Sequence, residues 1–536
     1  RARRGERRAP LARPLAPLST AGLSRLQEKS HVMPPSDLLR LPVDELRSSR
    51  LAELLASIDA ADAADAPLLT LLFDKAFGGD AGLQLLRSAA VQEALRATAL
   101  VHADDAIRSF ALVHCKRLAA AAADVSLLGA SGVLQQIAVL VSDASLGVSQ
   151  RAVGFFVACA ASAGALRAVL DHAPSRTALL APCAAAAADP AGGVPALALR
   201  TLALFGEIAA IGDAQCAMCE ESGALDLALA AWRGSDELVR LNALEVFALL
   251  ARVPRGLHWL EAHGVVDDLL AQARGAETDG DAPMAEVQLP SVFHCLAELL
   301  EAGGDAAVDK ALSTGGLLGP LWRQLEPAGG GARDAALAAV RGAACSRRGC
   351  ILVLRQTASG GAADPLARLL RSSDARAKVG AFAVAAQLCS SCAQFAADGE
   401  VASVQPALRA LIAAVSPSAG TAPGDALAAL VALPAEELRV AALRLLLGLA
   451  QLDWGALALA RCEGLLHLLL HAEAVLTPDE LRDKHALASA LLKSTAAADV
   501  IGAGAATVRQ LREYVAAGPF AAQSKAEARP EGPLTL

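Results

Sequence analysis

Three groups of side chains have types and spacings that metal, redox or nucleotide chemistry would need. Cys216-Ala-Met-Cys219 and Cys389-Ser-Ser-Cys392 are two CxxC pairs. Together they would supply the four thiolates of a structural zinc site. A single CxxC pair is also a redox motif, but only near a βαβ pattern. His467-Leu-Leu-Leu-His471 puts two imidazoles at i and i+4 on one helix face. It lacks the glutamate of HExxH and any evident third ligand. Gly502-Ala-Gly504 lacks the third glycine and the preceding strand of a dinucleotide site. No GxxxxGK[ST] loop and no GxSxG elbow occurs.

Whether such groups meet depends on the elements that carry them. The chain has 536 residues, 54% apolar and only 3% aromatic, with a mean hydropathy of +0.41. Disorder is excluded by that hydrophobicity. β-sandwiches and barrels are excluded by the scarcity of β-branched and aromatic residues. Alanine and leucine, the strongest helix formers, dominate, so the expected class is all-α. Net charge is -8, and the dense basic cluster is confined to Arg1, Arg3, Arg4, Arg7 and Arg8. No nucleic-acid partner is expected from that balance. The most apolar stretch, Ala152 to Leu166, has 15 residues. A membrane span needs about 20, so this stretch reads as a buried core helix and no membrane partner is expected. Eleven cysteines, an odd and scattered set, argue against a secreted disulfide framework. A reducing, cytoplasmic setting is expected, with the nucleus as a second site.

Repeats are visible at two landmarks. A glycine opens an apolar helix at Gly132, Gly223, Gly264, Gly316 and Gly464. Acidic turns at Asp104, Asp143, Asp189 and Asp236 precede helices, where a carboxylate caps the end and suits the dipole. The apolar positions Ile107, Val148, Val194 and Val239 that follow are 41, 46 and 45 residues apart. That is the period of HEAT and armadillo repeats. Glu237 to Ala251 resembles Glu436 to Ala450. The spacing predicts a curved α-solenoid of degenerate HEAT/armadillo-like repeats over 36–520, in which Ala-Leu pairs such as Ala243-Leu244 let neighbouring helices approach. Residues 1–35 read as a disordered or artefactual extension with Met33 as initiator, or as an Arg-rich transit peptide. Residues 521–536 read as a loose tail. Solenoid units touch only their neighbours, so CxxC pairs 173 residues apart are not expected to meet. The cysteines then read as core residues, His467 and His471 as a helix face, and no cofactor or metal is expected.

The helix carrying Ala-Leu lines the binding face in armadillo repeats. Importin-type adaptors carry a Trp-x-x-x-Asn ladder there. Here the corresponding pairs are Val113/Arg117, Gly154/Ala158, Arg200/Leu204, Glu245/Leu249 and Arg444/Gly448. Basic import cargo is therefore a poor fit.

Val101-His-Ala-Asp-Asp-Ala-Ile-Arg108, Asp236 to Gly264 with Glu261-Ala-His-Gly-Val-Val-Asp267, Ala441 to Trp454, Leu511-Arg-Glu-Tyr514 and Gly518-Pro-Phe520 resemble, in order, the 26S proteasome non-ATPase regulatory subunit 5 family. The Ala-rich segment 119–123 and the Gly-rich loops depart from that pattern. The resemblance implies a non-enzymatic assembly chaperone for the base of the regulatory particle. Its partner would be the C-terminal domain of a base ATPase subunit, and the chain would be monomeric until bound. The alternative is a generic armadillo-type scaffold or transport adaptor. Arg200, Glu245 and Arg444 are the candidate partner-binding residues, charged where the spacing would otherwise be apolar. The competing reading makes them a solvated face.

Overall fold

The structure is a computed structural model. It describes residues 34–59, 65–188, 195–275, 283–325, 330–361, 364–416, 421–470, 476–502 and 505–520. Among these every regular element is helical. They form two compact units, Arg1–Phe155 and Phe156–Leu536, and the division falls inside the helix Leu146–Ala160.

The second unit is built from triplets of helices. Typically two helices lead to a third, as Asp213–Glu221 and Ala224–Arg233 lead to the longer Glu237–Ala251. The third helices are Pro195–Ala209, Glu237–Ala251, Pro283–Ala302, Gly331–Ala344, Ala375–Gln394, Glu436–Ala450 and Pro478–Lys493. Each packs on the next in an unbroken ladder. Their first residues are 42 to 48 apart, except for the 61 between Ala375 and Glu436. Such stacking of units on their neighbours defines a solenoid. The chain is therefore all-α, with armadillo- and HEAT-like repeats.

Local sequence explains the punctuation. Asp104, Asp236, Asp374 and Asp398 accept backbone N–H groups at the starts of their helices. Gly132 and Gly223 sit at N-caps with φ of 78° and 81°, a conformation that disfavours any side chain. Gly464 differs from the pattern, because its helix starts one residue earlier, at Glu463, and its φ is not positive. Asp143 differs too. It accepts from the Ser145 N–H and pairs with Arg108 at 3.0 Å, three residues before Leu146 starts the helix. The Asp189 to Val194 turn lies outside the described residues.

The stretch from Ala152 to Leu166 is not one helix. Ser162 accepts from the Ala165 N–H and starts a second helix, Ala163–Asp171. Among the described residues no single helix is long and apolar enough to cross a membrane.

The ladder's inner faces carry the core. Ala243 and Leu244 in one layer, and Ala442 and Leu443 in another, are all buried. In the first unit Phe73, Phe77 and Phe110 surround the buried His114 at ring separations of 5.6 to 6.2 Å. Its solvent end caps itself: Arg47 donates to the carbonyls of Ala76 and Gly78, and Arg117 to those of Phe77 and Gly79. Arg117 thus closes a helix end.

Candidate functional site

Three consecutive ladder helices enclose a groove of about 770 Å³. They are Gly331–Ala344, Ala375–Gln394 and Glu436–Ala450. Small side chains make the room. A Cβ on Gly448 would stand 3.0 Å from the Ala386 carbonyl oxygen and 3.1 Å from Cys389 Cβ. The last two helices therefore cross closely, and Ala383 and Ala386 leave the space above the crossing open.

The apolar lining comes from Val379, Ala383, Ala386, Val440, Leu447 and Gly448. Charge comes from Arg341, Arg444, Glu436 and Glu437. Arg341 already holds Glu301 at 2.8 Å. Arg444 is 67% exposed and reaches Asp483 at 3.8 Å. Burial pushes the Asp483 carboxyl above its ordinary range, and Arg444 opposes that. So exposed an ion pair contributes about 0–1 kcal/mol, which leaves Arg444 available to a better partner. Glu436 and Glu437 are exposed at the helix start, where they also complement the dipole.

Ion pairs at the edge of the groove and beneath it hold its walls. Arg333 donates to Asp374 at 2.7 Å while Arg376 pairs with Asp334 at 2.5 Å, so the two helix starts are tied by crossed ion pairs. Beneath Glu436–Ala450, Arg439 grips the fully buried Glu480 with both Nε and Nη2, at 2.7 and 3.3 Å. Glu480 also completes a capping box with Thr477. Burial raises the Glu480 carboxyl, but the bonds from Arg439 and Thr477 outweigh it and hold it below the usual range. Neither pair figures in the sequence reading, although the Thr477-x-x-Glu480 signature of a capping box was available.

The residues singled out by spacing are spread apart. Cys216 and Cys219 are buried on Asp213–Glu221, and Cys389 and Cys392 on Ala375–Gln394. Burial pushes the Cys216 thiol up to about 11 and raises Cys219 and Cys389 as well. His467 is exposed on Glu463–Leu470, while His471 lies outside the described residues. Gly502 ends a helix, and Gly504 lies outside the described residues. Among the described residues no three His, Cys, Asp or Glu side chains are grouped to hold a metal ion.

Of the three charged candidates, only Arg444 lines the groove. Glu245 is exposed on Glu237–Ala251, and Arg200 is half-buried on Pro195–Ala209. All three belong to helices of the same ladder. The groove's hydroxyl, Ser390, has no imidazole among its fellow lining residues. The chemistry on offer is contact, apolar in the middle with both charge signs at the edge.

Residues 86–301 and 418–533, together more than half of the chain, match the profile of a family described as proteasome non-ATPase 26S subunit. No curated protein matches the chain. Among solved structures, an engineered protein is similar at 15% identity and a TM-score of 0.42, covering 82% of this chain and 99% of that one. A designed armadillo repeat protein is similar at 20% identity and a TM-score of 0.35, covering 50% of this chain and 98% of that one. By the extent of the profile match, the chain belongs to the proteasome non-ATPase 26S subunit family.

Proposed function

We propose that this protein is a non-enzymatic chaperone for assembly of the base of the 26S proteasome regulatory particle. In this reading it belongs with the subunit 5 branch of its family, and its ladder face holds the C-terminal domain of a base ATPase subunit. The observation that carries the reading is the family match over 86–301 and 418–533. The mixed groove around Arg444 supports it, because an extended face of apolar and charged residues suits a folded partner domain. It acts in the cytoplasm and nucleus, as a monomer until bound.

A second reading, a general armadillo-type scaffold or transport adaptor, is favoured by the repeat architecture alone. Affinity purification from a cell extract separates the two. Base ATPase subunits in the eluate support the chaperone reading. Importins or cytoskeletal proteins, with no ATPase subunit, would replace it with the second.

A further inference from the structure

Cys350 and Cys392 make the one thiol–thiol hydrogen bond among the described residues, with sulfurs 3.6 Å apart. Cys350 lies in the first turns of Arg347–Gly360, whose N-cap Ser346 accepts from the Gly349 N–H. Cys392 lies near the end of Ala375–Gln394. These are the first and third helices of one repeat. The neighbouring residue Ser391 donates to the Ala344 carbonyl at 2.6 Å. That bond ties the end of the third helix to the turn from which the first helix departs, and so fixes the two thiols side by side. Both are fully buried.

We infer that Cys350 and Cys392 form a site of reversible oxidation, closed as a disulfide by a peroxide or by a low-molecular-weight disulfide. The contact already biases the pair. One thiol hydrogen-bonds the other, and that bond holds the Cys392 proton more loosely than an ordinary thiol, whereas Cys350 is raised by the same bond and by burial. With hydrogen peroxide, the Cys392 thiolate attacks one oxygen and breaks the O–O bond. This leaves a sulfenic acid on Cys392 and releases hydroxide, which leaves as water. The Cys350 sulfur, giving up its proton, then attacks the Cys392 sulfur and displaces the second oxygen as water. Two thiols and one peroxide become one disulfide and two waters. With oxidised glutathione, the Cys392 sulfur breaks the S–S bond to form the mixed disulfide and release one reduced glutathione, and Cys350, giving up its proton, displaces the second. Reagents reach the buried pair through local opening of the helix ends.

The inference is independent of the partner. Its consequence falls on the groove, because Cys392 shares its helix with Val379, Ala383 and Ala386. A disulfide would clamp that helix to the first helix of its own repeat.

The test exposes the full chain, native, to hydrogen peroxide or oxidised glutathione. Remaining thiols are then blocked in denaturant and the peptides mapped. The eleven free cysteines should fall by two, with one cross-linked peptide joining Cys350 to Cys392 and regaining both thiols on reduction. In Cys350→Ser, Cys392 should instead be recovered as its glutathione adduct or trapped sulfenic acid. Retention of all eleven thiols after prolonged exposure overturns the inference. So does a first link formed elsewhere, as between Cys389 and Cys392. The wild-type map decides even where the variant does not fold.

Discussion

Gly342 lies against the backbone of Ala297, so close that a Cβ on it would stand 2.4 Å from the Ala297 carbonyl oxygen. The helices Gly331–Ala344 and Pro283–Ala302 meet at this point. Gly342→Ala should force them apart. Overpacking of this kind costs about 1–3 kcal/mol, read as a fall in urea midpoint. Gly399→Ala is the control, since its Cβ would meet nothing within 4 Å and its φ is not positive. It should be neutral or slightly stabilising. Equal effects at both positions would remove the close crossing.

Glu480→Gln should destabilise the chain strongly. Glu480 is fully buried and Arg439 nearly so, and removing one partner of a buried pair costs about 3–5 kcal/mol. The sign with pH follows from the carboxyl's lowered folded value. Its stabilisation is present above the ordinary glutamate range and is lost as pH falls through the folded value. Acid titration of stability should therefore be less steep in the variant than in the wild type.

His114 should make the first unit acid-sensitive in a milder range. Burial lowers its imidazole from 6.5 to about 4, with Asp74 opposing and Arg117 assisting. Between those values the unfolded chain holds a proton that the folded chain does not, so stability falls as pH drops from about 6.5 to 4. The shift corresponds to on the order of 3 kcal/mol. His114→Phe should abolish that dependence, as followed by thermal melts across pH. A slope unchanged in the variant would assign the effect to another group.

Glu245→Arg and Arg444→Glu test the partner face. Glu245 makes no ion pair among the described residues, and that of Arg444 is long and exposed. Exposed substitutions of this kind change stability by about 0.5 kcal/mol or less. Binding to one isolated C-terminal domain of the base ATPases should weaken, with a salt dependence that shifts. Full binding by Glu245→Arg would remove that residue from the interface, and likewise Arg444→Glu. No binding of the wild-type chain to any ATPase domain would remove the proposed partner.

Much of the ladder was legible because a helix buries a face at a regular period. The internal match of Glu237 to Ala251 with Glu436 to Ala450 falls on two helices with those very ends. Asp104 and Asp236 were readable as caps for the same local reason. Glycine inside a helix carries no such signal. Locally Gly342 and Gly448 only weaken a helix, and their purpose appears when the neighbouring backbone arrives. Pro182, Pro290 and Pro406 lie inside helices, positions that local preference disfavours. The groove was legible only at Arg444. Its walls come from three repeats, and no one-dimensional period brings Arg341, Ala383 and Glu437 together. The thiol contact was hidden likewise: Cys389-x-x-Cys392 invited pairing within one helix, whereas Cys392 touches Cys350.

The crossed pairs at the groove's edge act as a key for alignment. Arg333 faces Asp374 while Arg376 faces Asp334. Sliding one helix along the other separates both pairs and draws either Arg333 toward Arg376 or Asp334 toward Asp374, so a misaligned stack loses two attractions and meets one repulsion. Degenerate, alanine-rich layers offer many nearly equivalent ways to nest. Here four short-range charges make one of them distinguishable.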